Sequence, residues 1–155
     1  MADVLTPEQR KLNMSRIRGK DTKPEMLIRR GLHARGLRYR LHDRSLPGRP
    51  DLVFPKHRTV VFVHGCFWHA HGCALSKLPA TRQDFWQNKL AANAARDHKA
   101  VNALQADGWR VLVIWECALR GRQRLKESTV LDCVVNFIQG TRSQQFEVFS
   151  GQPSL

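Results

Sequence analysis

The sequence is short of acidic residues. It holds 13 Asp and Glu against 26 Lys and Arg, so its formal net charge is +13 at pH 7. That imbalance, with a pI near 10.6, is typical of a protein that binds a polyanion, and nucleic acid is the leading candidate. Because 42% of its 155 residues are hydrophobic, the chain can bury the core of one domain.

Long apolar runs and an export signal are missing as well. No stretch approaches the roughly 20 apolar residues of a membrane span, and no segment reads strongly as a basic amphipathic surface helix. The first residues lack a basic start followed by an apolar segment, which argues against export. We therefore expect a cytoplasmic protein without membrane contact, whose four cysteines are metal ligands or buried thiols rather than disulfides.

Internal repeats and low-complexity tracts are also absent, and the capping and turn signals predict a mixed α/β order. A mixed sheet flanked by helices is the architecture that this order implies. A basic first helix has little to bury, so it either presents a solvated face or becomes ordered on DNA. Cys133 falls on the apolar stripe of the last helix and is predicted to be a core residue. The predicted helices span 6–17, 22–36, 81–107 and 128–139, and the predicted strands span 37–42, 49–54, 59–63 and 110–115.

Cysteine and histidine are concentrated in the decapeptide 64–73. Within it Cys66, His71 and Cys73 have the spacing Cys-x₄-His-x-Cys, and these are the ligand types that Zn²⁺ prefers. Cys117 is the favoured fourth ligand because it is a thiol at the end of a buried strand. A closed site of three cysteines and one histidine would be structural, since it leaves no position for water or substrate. The other candidates for the fourth position are His64, His69 and Cys133.

An aspartate and two histidines are candidates for chemistry. Asp51 stands at the head of a strand, one hairpin before His64, so it could hold Mg²⁺ or merely cap the preceding turn. His64 and His69 could transfer protons near neutral pH. Three acidic residues could orient these imidazoles: Glu25, which could instead cap its own helix; Asp97, whose default interpretation is a solvated helix face; and Glu116.

Aromatic residues next to basic ones form a further signal. Phe67 and Trp68 sit between the predicted metal ligands, and Phe85 and Trp86 lie at the start of the long helix. Such rings can stack on bases or wedge between them, although core packing is the alternative. Trp109 and Trp115 bracket a buried strand and are predicted to be packing residues.

Several motifs, in order along roughly residues 8–125, resemble the very-short-patch repair endonucleases, bacterial enzymes that nick DNA at T:G mismatches. The resemblance implies a restriction-endonuclease-like fold and Mg²⁺-dependent cleavage of one strand 5′ to the mispaired thymine. The motifs are Asn13-Met14, Asp21-Thr22 with Glu25, Ser45-Leu46-Pro47-Gly48-Arg49-Pro50-Asp51, His64-Gly65-Cys66-Phe67-Trp68-His69 with His71 and Cys73, Pro79-Ala80-Thr81-Arg82 with Phe85-Trp86, Gly108-Trp109-Arg110-Val111, and Trp115-Glu116-Cys117-Ala118-Leu119-Arg120-Gly121.

The resemblance also implies partners and a division of the chain. Such mismatches arise when 5-methylcytosine deaminates, so a DNA cytosine-5 methyltransferase is the expected companion, and a repair polymerase and a ligase are expected downstream. Residues 1–20 would be a basic arm on the DNA, and 21–155 the endonuclease domain of a nucleoid-associated monomer. The acidic-x-Lys pair usual in this fold is absent around 62–65, and histidines would supply the proton path instead.

Carried over position by position, the resemblance assigns roles to individual residues. Asp51 corresponds to the metal-holding aspartate and His69 to the general base, while Val63, where the family often has threonine, would bind Mg²⁺ through its backbone carbonyl. His64, Glu25 and Asp97 would arrange the metal's waters. The remaining correspondences are the structural zinc ligands Cys66, His71, Cys73 and Cys117, the aromatic wedge Phe67, Trp68 and Trp86, the minor-groove residue Met14, and the mismatch contacts Lys89 and Asn93.

Three other interpretations remain open from the sequence. The chain could be a non-catalytic, zinc-stabilised DNA-binding module whose histidines complete the metal site. It could be a related nuclease that acts on another mismatch or sequence context. It could also use catalytic zinc, which would require an open metal position.

Overall fold

The fold is a mixed α/β sheet with helices on both faces, as the sequence predicted. A computed structural model describes residues 6, 8–9, 21–140, 146–149 and 151. The helices are α1 (Lys23–Ala34), α2 (Gln83–Ala106) and α3 (Glu127–Gln139), and the strands are β1 (Arg40–Leu41), β2 (Leu52–Phe54), β3 (Thr59–His64), β4 (Arg110–Trp115) and β5 (Phe146–Phe149).

The five strands are ordered β1-β2-β3-β4-β5 across the sheet. The first two pairings are antiparallel, whereas β3, β4 and β5 run parallel. Strands β3 and β4 are buried almost throughout because both faces of the sheet are covered. Side chains of α1 and α3 pack on one face, and those of α2 pack with Trp109 on the other. No helix in the described parts of the chain is long and apolar enough to cross a bilayer.

Several element boundaries differ from the prediction. Strands β1 and β2 are shorter, because the prolines at 47 and 50 and the left-handed backbone at Gly48 (φ 73°) and Arg49 (φ 48°) keep the turn out of the ladder. Helix α2 begins after Arg82, so the N-cap residue is Arg82 and not the predicted Thr81. The Arg82 backbone is left-handed, and its side chain makes no capping hydrogen bond. Strand β5 lies in a tail to which the sequence assigned no structure.

The prediction for Cys133 was wrong, because this residue is exposed. The buried residues of α3 are Val130, Leu131, Val134, Phe137 and Ile138. With about 100° of rotation per residue, Cys133 lies about 100° from the centre of that face. An apolar residue type on an amphipathic helix was therefore not enough to place it in the core.

Only the start of the predicted basic helix can be described. The amide of Gln9 donates to Thr6 Oγ1 at 3.1 Å, and the amide of Thr6 donates to Gln9 Oε1 at 3.0 Å. These reciprocal bonds form the predicted capping box. The rest of that helix, including Met14, lies outside the described residues.

Arg110 at the start of β4 holds the C-terminus of α3. Its guanidinium donates to the carbonyl oxygens of Phe137 (2.7 Å) and Ile138 (3.5 Å), and it lies 4.3 Å from the centre of the Phe137 ring. These bonds satisfy carbonyls that have no partner within a helix end, and the charge is favourable there.

We expect Arg110→Met to lower the free energy of unfolding by about 2 kcal/mol, because charge-assisted hydrogen bonds are lost while the aliphatic volume is kept. Urea unfolding measures the change. Arg124→Met removes a guanidinium whose bond to the Gly121 carbonyl is exposed, and it should change stability by less than about 0.5 kcal/mol. Equal effects of the two substitutions would contradict the capping role.

Candidate active site and metal centre

The loop after β3 and the end of β4 together form a Cys/His cluster. The ligand atoms of Cys66, His71, Cys73 and Cys117 all lie within 4.8 Å of one another, and Cys117 Sγ is 3.6 Å from His71 Nδ1. Because β3 and β4 are adjacent and parallel, their ends bring the loop and Cys117 to the same edge. These are the four residues that the sequence favoured, and the cluster could hold a metal ion.

The surroundings of the cluster suit metal-bound thiolates. The amide of Cys117 donates to Cys66 Sγ at 3.3 Å and that of Gly151 donates to Cys117 Sγ at 3.2 Å, while the Trp115 ring stacks on His71 at 4.1 Å. Burial raises the pKa of the Cys66 and Cys117 thiols. A bound cation would offset this cost, because the thiolate is the ligand. A tetrahedral site with metal–sulfur bonds of about 2.3 Å has ligand–ligand edges of about 3.8 Å, so the spacing fits a four-coordinate ion.

A His–Asp pair lies beside the cluster. His69 Nδ1 is 2.5 Å from Asp97 Oδ2, and both side chains are partly exposed, at 28% and 29%. The pairing fixes the orientation of the imidazole and directs Nε2 away from the carboxylate. The long helix α2 thus brings its aspartate to the loop, and the solvated face that sequence patterning favoured for Asp97 was wrong.

His64 stacks on His69 with ring centres 3.8 Å apart and planes within 4°. The pKa of His64 is lowered to about 3, mainly by burial and also by the neighbouring His69, while Asp97 opposes the change. His64 is therefore neutral at pH 7, so the stack does not oppose two positive charges. Its buried Nδ1 has no hydrogen-bond partner in the structure, which leaves it as an acceptor or donor for a bound group.

The Asp51 side chain contacts β3 at Val63, the residue that precedes His64. Its Oδ2 accepts a hydrogen bond from the amide of Val63 at 2.7 Å, so the side chain reaches across the hairpin. The pKa of Asp51 is raised to about 7, mainly by burial and also by the charge and hydrogen bond of Glu25, while the Val63 amide opposes the shift. The Asp51 carboxyl therefore resists ionisation unless a cation binds next to it.

Glu25 is 2% exposed and serves more than one partner. Thr22 Oγ1 accepts from the Glu25 amide at 3.4 Å, as the capping box predicted, but the Glu25 carboxylate accepts from the Asp21 amide at 3.2 Å. Its other oxygen lies 2.8 Å from His42 Nε2 and 3.2 Å from Arg29 Nη1. Glu25 is thus both a helix-start residue and a buried neighbour of Asp51.

Sequence reasoning missed Arg29 and His42. The spacing of Glu25 and Arg29, four residues apart on a helix, is a recognised ion-pair signal and could have found the first. Nothing local indicated His42, because its contact with Glu25 spans 17 positions and depends on how α1 packs against the hairpin.

Glu116 does not orient the histidines through the contacts that the structure records. Its Oε1 accepts from the amide of Cys66 at 3.3 Å, and its Oε2 pairs with Arg120 at 3.0 Å. It therefore supports the start of the Cys/His loop, between the metal cluster and an exposed arginine.

The aromatic residues form one cluster at the tip of the loop and the start of α2. Trp68 lies 5.0 Å from Phe67 and 5.9 Å from Trp86 between ring centres, and Phe85 packs on Trp86 with 43% of its surface exposed. Lys89 Nζ lies 5.8 Å from both tryptophan rings. The predicted wedge residues are thus together and half-exposed, with a cation beside them.

Asn93 supports this cluster from α2. Its side-chain amide donates to the Trp68 carbonyl at 3.0 Å, and its oxygen accepts from Arg96. This bond ties the helix to the aromatic part of the loop, a role that the sequence did not indicate. Trp109 is buried as predicted, whereas Trp115 also contacts His64 and His71.

An open cleft of about 700 Å³ lies between the histidines and the aromatic residues of the loop. It is lined by Val63 and both histidines, by Phe67 and Trp68, and by the cationic Lys23 and Arg120, among others. His69, which pairs with Asp97, and the aromatic rings line this cleft, and the cleft residue Val63 bonds to Asp51. In a strongly basic α/β chain this arrangement is typical of nucleases. The family model of the DNA mismatch endonuclease Vsr matches residues 2–75. The chain belongs to this family of DNA endonucleases.

Curated relatives match most of the chain. The DNA mismatch endonuclease Vsr of Escherichia coli (strain K12) is 46% identical over 140 residues, 90% of each chain. The type II nicking enzyme V.XorIIP of Xanthomonas oryzae pv. oryzae is 53% identical over 119 residues, 77% of this chain and 88% of the relative. V.NmeAIP of Neisseria meningitidis, also a type II nicking enzyme, is 42% identical over 127 residues, 82% and 91% of the two chains.

Proposed function

We propose that this chain is a Mg²⁺-dependent endonuclease that nicks one strand of double-stranded DNA 5′ to the thymine of a T:G mismatch. The observation that carries the proposal is that His69, paired with Asp97, lines the same cleft as Phe67 and Trp68, beside the strand that Asp51 contacts. This arrangement places a group for proton transfer, a site for a hard cation and a surface for bases close together.

In the proposed reaction, His69 Nε2 accepts the proton of the attacking water. Asp97 holds the Nδ1 proton and stabilises the imidazolium that forms, the usual division of labour in such pairs. Neutral His64 backs the ring of His69 and keeps it oriented towards the cleft. Lys23 and Arg120 line the same cleft and are suited to attract the DNA phosphates.

Asp51 and the Val63 carbonyl would hold Mg²⁺. The buried Asp51 carboxyl, whose pKa is raised, suits a hard cation. The amide and carbonyl of one residue in a strand point to the same side, so the Val63 carbonyl faces the side on which its amide meets Asp51. When bound, Mg²⁺ polarises the scissile phosphate. The hydroxyl of the family's threonine is therefore dispensable, because the backbone supplies the ligand.

Phe67, Trp68 and Trp86 would form the wedge. Opening a base step costs least where pairing is already poor, so a T:G step is favoured over a matched pair. Lys89 lies close enough to approach a flanking base or phosphate. Asn93 would contact the mismatch only if its bond to the Trp68 carbonyl rearranges, and Met14 from the arm 1–20 would insert in the minor groove.

The Cys/His cluster would bind Zn²⁺ as a structural ion, and the domain 21–155 would be a restriction-endonuclease-like core that acts as a monomer. Four protein ligands leave no open coordination position, which argues against catalytic zinc. The proposed companions are a DNA cytosine-5 methyltransferase, a repair polymerase and a ligase, and the expected location is the bacterial nucleoid.

A panel of duplexes that differ only in the central base pair and its flanks tests the proposal, with nicking followed at fixed Mg²⁺. We expect nicking of T:G duplexes, on the thymine strand, and at least about 100-fold slower cutting of T:A duplexes. Equal cutting of matched and mismatched DNA would support a nuclease that recognises a different sequence context. That function is the second candidate, because two of the relatives are named as type II nicking enzymes. DNA binding without any nicking would support a binding module.

Asp97→Asn tests the proton path within this proposal. We expect the single-turnover nicking rate to fall about 100-fold while DNA affinity in a gel-shift assay stays unchanged, because Asn keeps the shape but not the charge that supports His69. Asp132→Asn, an exposed aspartate paired with Arg35, makes the same change of net charge and should leave the rate unchanged. A wild-type rate for Asp97→Asn would remove the pair from the mechanism.

A further inference from the structure

His42 connects two parts of the candidate site that are far apart in sequence. It follows β1 directly and pairs with Asp51 across the hairpin, where its amide donates to the Asp51 carbonyl at 3.1 Å. Its ring nitrogen Nε2 lies 2.8 Å from Glu25 Oε2, with 16% of the His42 side chain exposed. One residue therefore bonds to the backbone of Asp51 and to the buried carboxylate beside it.

The backbone of His42 is strained to make this connection. Its φ is 47°, in the left-handed region that L-residues rarely adopt. Such conformations persist where the surrounding contacts hold them, and they concentrate at functional sites. At His42 the hairpin bond ends at the backbone carbonyl of Asp51 and the ring contact ends at the Glu25 carboxylate.

Arg29, which also contacts the Glu25 carboxylate, does not fix that carboxylate relative to the hairpin. Arg29 Nη1 is shared between Asp21 at 2.5 Å and Glu25 at 3.2 Å, and it reaches Glu25 from the same helix. It therefore fixes the carboxylate relative to α1 only. The His42 ring bonds Glu25 from the hairpin that carries Asp51, and this bond adds to the direct contact between the Glu25 and Asp51 side chains.

We infer that His42 is a positioning residue that holds Glu25 against Asp51 and so shapes the cation site. The inference rests on the magnesium site proposed at Asp51. Without the imidazole, the Glu25 carboxylate can follow Arg29 and Asp21 and turn away from Asp51. Partners that orient metal-site carboxylates typically contribute 10- to 100-fold, roughly, in metal affinity or activity.

His42→Asn and His42→Gln separate this role from a general effect on folding. Asparagine tolerates the left-handed backbone but is too short to reach Glu25, whereas the longer glutamine can present its amide nitrogen near the position of Nε2. His33→Asn, at an exposed site in the last turn of α1, is the matched control. Thermal unfolding of each variant establishes that it is folded.

Binding of Mn²⁺ alone, without DNA, is the first measurement, because Mn²⁺ takes the same oxygen ligands as Mg²⁺ and its free form is counted by electron paramagnetic resonance. We expect His42→Asn to weaken Mn²⁺ binding at least about 10-fold, and His42→Gln and His33→Asn to stay within about threefold of wild type. The Mg²⁺ concentration that gives a half-maximal nicking rate should rank the variants in the same order as their Mn²⁺ affinities. At saturating Mg²⁺ the nicking rate of each variant should lie within about threefold of the wild-type rate.

Asp51→Asn distinguishes failure of this inference from failure of the proposed function. If Mn²⁺ binding depends on Asp51 but His42→Asn binds as tightly as wild type, the role of His42 is overturned and the site stands. The role of His42 would also be overturned if His42→Asn lost nicking at every Mg²⁺ concentration while its Mn²⁺ binding was unchanged. If the wild type shows no Mn²⁺ binding that depends on Asp51, the cation site fails and this role of His42 fails with it.

Discussion

Asp51→Asn is expected to lower the nicking rate at least about 1000-fold while binding of a mismatched duplex is unchanged. The substitution removes the charge that would hold Mg²⁺, and a factor of 1000 corresponds to about 4 kcal/mol of transition-state stabilisation. Asparagine can still accept the hydrogen bond from the Val63 amide, so the hairpin should be preserved. Single-turnover nicking and a gel-shift titration on the same duplex measure the two effects.

The same variant should change how stability depends on pH in the absence of Mg²⁺. The folded-state pKa of Asp51, about 7, lies above its ordinary value of 3.8, so this carboxyl's contribution to stability is present at low pH and is lost as pH rises through 7. We expect the difference in unfolding free energy between pH 5 and pH 8 to be smaller in Asp51→Asn than in wild type. Wild-type nicking by Asp51→Asn would remove Asp51 from the metal site and from the mechanism.

Cys117→Ser is expected to abolish stoichiometric zinc binding and, with it, nicking. The thiol comes from β4 whereas the other three ligands lie in one loop, so its loss detaches the loop from the sheet. Binding of structural zinc contributes directly to folding free energy, and we expect the protein to lose at least about 3 kcal/mol of stability. Zinc content by mass spectrometry, thermal unfolding and nicking rate are the measurements.

Cys133→Ser is the matched control, because this thiol is exposed on α3. It should keep the zinc content, stability and activity of the wild type. Full zinc content in Cys117→Ser would contradict the proposed ligand set. Loss of zinc without any loss of nicking would show that the cluster does not position His69.

The Cys/His cluster could be predicted because its residues are mostly local. Cys66, His71 and Cys73 lie within eight positions, and cysteine spacing carries a strong metal signal. The fourth ligand followed from where the buried strand ends, and the structure has Cys117 there. The same reasoning failed for Cys133, since residue type alone does not show which side of a helix is covered.

The contacts around the candidate catalytic residues were predicted less completely. Asp51, His64 and His69 stood out by residue type and position, but the 2.5 Å contact of His69 with Asp97 joins a loop to the middle of α2 across 28 positions. Patterning favoured a solvated face for Asp97, and only the packing of α2 against the sheet decided otherwise. The roles of Arg29, His42 and Asn93 likewise depend on contacts between elements.

The sequence by itself determined the basic character of the protein, its mixed α/β class, the four cluster ligands and the residues on which the family resemblance rests, because these follow from composition, short spacings and apolar periodicity. The tertiary structure decided which carboxylates meet which imidazoles, that Glu25 lies buried against Asp51, and that the tail adds a fifth strand. Those contacts are set by the packing of α1 and α2 on the sheet, and the free energy of that packing is spread over many residues distant in sequence.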